Sequence, residues 1–173
     1  GRGRVLYTWR LKHNAKDQYT QQAQGGVNRA VPTLYYDYDS DDIRRDITVV
    51  PYEWSKELTA GNSHVTMSGI NKMCFGKLRY EWMNRIVTST NDDGVNWQYM
   101  RLADVYLMAA EAENELGNTS AAWTYMKPVL DRALPAAKVA ALQTKYTANQ
   151  QAFREGIYDQ RALESAGEAL RKV

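Results

Sequence analysis

The chain has 173 residues, 44% hydrophobic and 24% charged, which is enough for one globular domain with a core and is not a disordered composition. Its net charge of +2, with the nearest basic cluster (Arg2, Arg4, Arg10, Lys12) at one end, argues against a nucleic-acid-binding stripe. A lone cysteine, Cys74, excludes a disulfide framework and a thiolate metal site, and no run of about 18 apolar residues is present to span a membrane.

Residues 1–97 lack helical periodicity. Turn signals stand at 25–26 (GG), 60–62 (AGN) and 91–94 (NDDG). Between them VPTLYYDYD and DITVVPYEW read as extended segments around a charged turn, and MCFGKLRYEW as another. Long loops, a short hairpin and one or two brief helices are expected. Loops this long in a compact protein are functional or packed on a larger body.

Residues 98–173 read as helical. Leu102, Val105, Tyr106, Ala109, Ala112 and Leu116 follow the spacing of one helix face, and Gly117 suits the left-handed cap that ends it. Thr119 or Ser120 is expected to cap a second helix carrying Ala121, Ala122, Tyr125, Met126, Val129 and Ala133. Pro128 lies inside that helix and should kink it or end it nearby. A third pattern runs from Ala136 to about Gln143, and a fourth from Asn149 to at least Leu170, with Phe153, Ile157 and Leu163 as packing residues. The tight turn at Gly117–Asn118 makes the first two an antiparallel hairpin of tetratricopeptide character. Such units stack in threes or more, so an apolar face left open to a partner is expected. The fold class is mainly α, with helical hairpins in the C-terminal half and a loop-rich half containing short strands.

Catalytic and metal chemistry finds little support. Glu111 and Glu115 fall on the polar side of the first helix, while Glu113 falls in the apolar stripe, where Arg132 or Arg161 would have to pair with it. Two acids on one helix do not face each other across a sugar as glycosidase carboxylates must. His13 and His64 lack metal-ligand spacing. DYDSDD at 37–42 begins like a calcium loop but has Asp42 where glycine is needed and Thr48 where glutamate is needed. No cofactor is expected.

The stretch WQYMRLADVYLMAAEAENELG resembles the hallmark of the SusD/RagB family, through Trp97, Arg101, Ala103, Asp104, Val105, Leu107, Ala110, Glu111, Ala112, Asn114 and Glu115. The next helix is similar to the family's through Ala122, Val129, Arg132 and Ala133, with Lys127 and Leu130 departing. The last resembles it through Ile157, Arg161, Glu164, Glu168 and Arg171, with Gln160, Ser165 and Ala169 departing. Asp42 and Arg44 stand where the family has an Asp-x-Arg. The resemblance implies a non-enzymatic lipoprotein on the outer membrane of Bacteroidetes. Such proteins bind glycans, sometimes peptides, and pass them to a SusC-like TonB-dependent transporter. It implies tetratricopeptide helix pairs in a protein much longer than this chain, of which the chain is expected to be a C-terminal portion without the anchor cysteine. Residues 1–97 and 98–173 would then be parts of one SusD-like domain.

On this reading Arg101, Asp104, Glu111, Glu113, Glu115, Arg132, Arg161, Glu164 and Glu168 form a structural network. The ligand falls to rings on loops, because aromatic faces meet a sugar's C–H side while polar groups meet its hydroxyls. The candidates are Trp54 and Tyr36 first, then Tyr38, Trp9 and Trp82, with Tyr35 and Arg44 nearby. The rival reading is a helical-repeat scaffold that binds protein partners only.

Overall fold

The computed structural model describes residues 9–55, 65–89 and 98–168. The chain forms two compact units: one of residues 1–38 and 45–97, the other of 39–44 and 98–173. Among the described residues there are six α-helices, four short strands and two 3-10 turns.

In the first unit Pro32 opens helix α1 (Pro32–Asp37), where the extended reading of VPTLYYDYD fails. The cause is local: proline in the first turn fixes a helical φ and its missing N–H costs nothing there. None of the helix's residues is buried. Helix α2 (Arg44–Thr48) leads into β1 (Val49–Val50), followed by β2 (Tyr52–Trp54). Strand β3 (Val65–Met67) pairs antiparallel with β2, setting Tyr52 opposite Met67 and Trp54 opposite Val65. Strand β4 (Cys74–Phe75) pairs with β1. A 3-10 turn at Ile70–Lys72 precedes β4 and another at Tyr80–Trp82 follows it. MCFGKLRYEW is therefore a short strand and a tight turn rather than one extended run. Gly25 and Gly26 both have positive φ, and a Cβ on Gly25 would meet the Leu11 carbonyl oxygen at 2.2 Å. The turn signals at 60–62 and 91–94, with His64 and Trp97, lie outside the described residues.

The second unit holds four helices: α3 (Leu102–Glu115), α4 (Thr119–Asp131), α5 (Ala136–Tyr146) and α6 (Gln150–Ser165). Helix α3 packs on α4 and α6, and α5 on α4 and α6. The core joins Leu107, Ala110, Trp123, Met126, Leu130, Val139, Tyr146, Phe153 and Ile157, among others. Helix α3 ends in a Schellman motif: Asn118 N–H donates to Glu113 O (2.9 Å), Gly117 N–H to Asn114 O (3.0 Å), and Gly117 has φ +84°.

Three expectations for this unit change. The buried face of α3 is Ala103, Leu107, Ala110 and Asn114, while Leu102, Val105, Ala112 and Leu116 are exposed. Both stripes satisfy helical spacing. The small residues Ala103 and Ala110 let neighbours approach, and Asn114 finds Gln150 O (3.0 Å) and the Thr119 hydroxyl (3.2 Å). Glu113 is thus off the core and accepts from Asn118 (2.9 Å), while the two arginines assigned to it pair elsewhere. The N-cap of α4 is Asn118, not Thr119 or Ser120, while the helix does end near Pro128, at Asp131. Helix α6, capped by Asn149 Oδ1 accepting from Ala152 N–H (2.9 Å), stops at Ser165 because Ala166 turns extended and Gly167 adopts φ +77°. Among the described residues no helix is long and apolar enough to cross a membrane.

Candidate functional site

The first unit builds its aromatic cluster from strand geometry. Tyr52 and Trp54 lie two apart on β2 and share a face. One carboxylate therefore serves both: Glu81 accepts from the Tyr52 hydroxyl (2.8 Å) and from the Trp54 indole N–H (2.7 Å). Arg79 donates to the same hydroxyl (2.9 Å), to Gly76 O (2.6 Å), and to Asp46 O and Ile47 O (2.9 and 3.0 Å). Burial and the Glu81 hydrogen bond push the Tyr52 phenol up to about 12, against the opposing charge of Arg79. The Arg79 guanidinium lies 5.0 Å from the centre of the Trp82 ring. Behind this, His13 Nδ1 bonds Asp17 and its ring stacks on Trp54 at 6.2 Å. Tyr80 anchors the 3-10 turn, fully buried, taking Arg10 and donating to Gln24 (2.8 Å).

The ring candidates occupy different environments. Trp54 is 7% exposed, and Tyr38 is buried. Trp9 is half-buried with its ring 5.0 Å from Phe75. Tyr36 is 73% exposed and Trp82 60% exposed. Tyr36 stands edge-on to Tyr35 at 5.7 Å, and Tyr35 carries the Arg45 guanidinium at 4.8 Å. Arg44 is buried in the other unit's ion cluster.

That cluster centres on Glu164. Its carboxylate accepts from Arg101 (2.8 Å), from Arg132 and from Arg44 (3.3 Å). Arg101 also reaches Glu168 (2.9 Å), and its backbone N–H donates to Asp104 (2.8 Å), which fixes the start of α3. Arg44 grips Asp42 through two donors (2.9 and 2.6 Å) and adds Gln160 (3.0 Å). Burial would raise the Glu164 pKa, but the Arg101 hydrogen bond and the charges of Arg132, Arg101 and Arg44 outweigh it and hold the carboxyl below its ordinary range. Arg44 and Arg101 are raised in turn: burial works against their charge, and the bonds to Asp42 and to Glu168 and Glu164 prevail. Among the described residues, arginines 44, 101 and 132 face acids 42, 164 and 168. Gln160 donates to Tyr146 (3.3 Å) while accepting from Arg44. An ionised glutamate could not donate there. On the outer side Glu111 pairs with Arg161 (2.7 Å) and Glu115 with Arg154 (2.5 Å).

Sequence reasoning missed Arg79, Glu81, Tyr52, Tyr80 and the His13–Asp17 pair. A signal existed for some of them: Tyr52 and Trp54 alternate on a strand, and RYEW offers an acid between two rings. Which acid meets which ring is a matter of tertiary contact and does not show in spacing.

The SusD family model matches residues 13–173. A SusD-like protein of Formosa agariphila is 49% identical over 75 residues, covering 42% of this chain but only 13% of the relative. No solved structure matches. The chain spans well under two thirds of that relative's length. With the family pattern matched from His13 onward and its arginines and acids assembled around Glu164, the chain belongs to the SusD family.

Proposed function

We propose that this chain is part of a nutrient-binding protein that captures an oligosaccharide or polysaccharide at the cell surface and hands it to a SusC-like TonB-dependent transporter in the outer membrane. Family membership over residues 13–173 carries this reading. The role is binding rather than catalysis, and the state of the acids supports that. Glu111, Glu115 and Glu164 are each paired with arginine, and Glu113 is bonded to Asn118. The acids at 37–42 fit a structural turn, with Asp39 on Lys138 (2.8 Å) and Asp42 on Arg44.

Calorimetric titration of the chain with maltohexaose, laminarihexaose, xylohexaose and an alginate hexamer tests the proposal. Saturable heat with at least one, without release of shorter sugars, is the expected result. Heat with none of them, or turnover, sinks it. A second reading, a helical scaffold for protein partners, draws on the exposed stripe Tyr99, Met100, Leu102, Val105 and Met108. Tight binding to an outer-membrane protein with no response to any sugar would favour it.

A further inference from the structure

We infer that Trp82 is a prebuilt stacking platform for a neutral pyranose ring. This rests on the glycan-binding reading and assigns it a place. Trp82 closes the 3-10 turn Tyr80–Trp82, whose three residues do three different things. Tyr80 is buried and tied to Arg10 and Gln24, so the turn cannot swing. Glu81 points inward to Tyr52 and Trp54. Trp82 is left outside, 60% exposed, with Arg79 against its ring at 5.0 Å.

Arg79 is a fixed support. Its donors are held by Gly76 O, Asp46 O, Ile47 O and the Tyr52 hydroxyl, and a Cβ on Gly76 would meet its Nη2 at 2.8 Å. A guanidinium held this way does not leave to bind ligand. Its charge rests against the indole at 5.0 Å and favours that orientation of the ring, which lowers the side-chain entropy a stacked ligand would cost. The Arg79 charge against the ring is offset by Glu81, 4.0 Å away. The platform therefore offers an apolar ring beside a charge that is already offset. Such a face suits the C–H side of a neutral sugar better than a uronate or a protonated amino sugar.

The experiment uses the whole chain, titrated calorimetrically with maltohexaose, laminarihexaose, xylohexaose and an alginate hexamer. Wild type, Trp82→Ala and Trp82→Phe are compared, with melting curves as a check on folding. Trp82 is exposed, so Trp82→Ala should melt as wild type does. The expected result is binding of a neutral hexamer that changes little between low and high salt. Trp82→Ala should weaken it by about tenfold or more, the loss of one stacked ring. Trp82→Phe should retain most of the affinity. If a sugar binds and Trp82→Ala leaves its affinity unchanged, or if only the alginate hexamer binds, this inference is overturned and the glycan-binding reading stands. Silence with every hexamer overturns both.

Discussion

The loop-rich unit and the helical unit bury different things. The helical unit has an apolar interior of alanine, leucine, methionine and aromatic residues, with its buried charges gathered around Glu164. Among the described residues the loop-rich unit also buries apolar side chains, Leu11, Val50 and Trp54 in one cluster, but much of its interior is polar: Arg10, His13, Asp17, Thr20, Gln24 and Arg79. Helices satisfy their own backbone and need only an apolar face to dock. Loops do not, so their backbone groups are met by side chains and by isolated pairs, such as Arg79 on three carbonyls and His13 with Gln24. The difference teaches where specificity resides. The helical unit is held by packing and tolerates surface change. The loop unit is held by a web of directional bonds that also positions its rings.

The largest expected effect tests the one place where the helical unit departs from that description. Glu164→Gln removes the carboxylate that Arg44, Arg101 and Arg132 share. Breaking a buried ion pair from one side costs about 3–5 kcal/mol, and urea unfolding at neutral pH should show a loss of that size. The pH dependence has a definite sign. The folded pKa of Glu164 lies below its unfolded value of about 4.3. Below that unfolded value the unfolded chain takes up the proton first, so stability from this group is complete above about pH 4.3 and drains away as pH falls through the folded pKa. Stability measured from pH 7 to pH 3 should therefore fall less steeply in Glu164→Gln. Equal slopes would mean the cluster contributes nothing to acid sensitivity.

Next in size is a pair of substitutions on α3. Leu107 is 1% exposed and Leu102 is 68% exposed. Leu107→Ala should cost about 2–5 kcal/mol through the cavity it leaves. Leu102→Ala should stay within about 0.5 kcal/mol. The reverse order would restore the face that spacing alone suggests, and would place Val105 and Leu116 inside.

That pair also shows how far the sequence could be read. Helix existence, the Gly117 stop and the family motifs carrying Asp42, Arg44, Arg101 and Glu164 were legible, because period, cap chemistry and the family pattern are all local or recurrent; that Arg101 meets Glu164 was not. The rotation of α3 was not, since two overlapping stripes both satisfied the period and only the approach of α4 and α6 chose between them. Helix α1 was misread because three aromatic residues in YYDY weigh toward a strand, whereas Pro32 decides the backbone. The candidate rings were legible only by type. Burial separates Trp54 and Tyr38 from Tyr36 and Trp82, and for Trp54 it comes with Glu81 arriving from a distant stretch of chain.

The smallest effect probes the web in the loop unit. Tyr80→Phe deletes one hydroxyl and keeps the ring. Arg10, whose guanidinium lies 4.5 Å from the ring centre, retains its stacking but loses this acceptor, and Gln24 Oε1 loses a donor. Leaving buried polar atoms short of a partner costs about 1–3 kcal/mol. The change should be local, so amide exchange at His13 and Gln24, whose backbones pair at 2.8 and 2.9 Å, is the measurement to make. Their protection should fall in Tyr80→Phe and fall further in Tyr80→Leu, which also loses the ring under Arg10. If Tyr80→Phe matches wild type while Tyr80→Leu does not, packing and not hydrogen bonding holds this turn. The loop unit would then be ordered by the same rule as its helical neighbour, and the contrast between them would vanish.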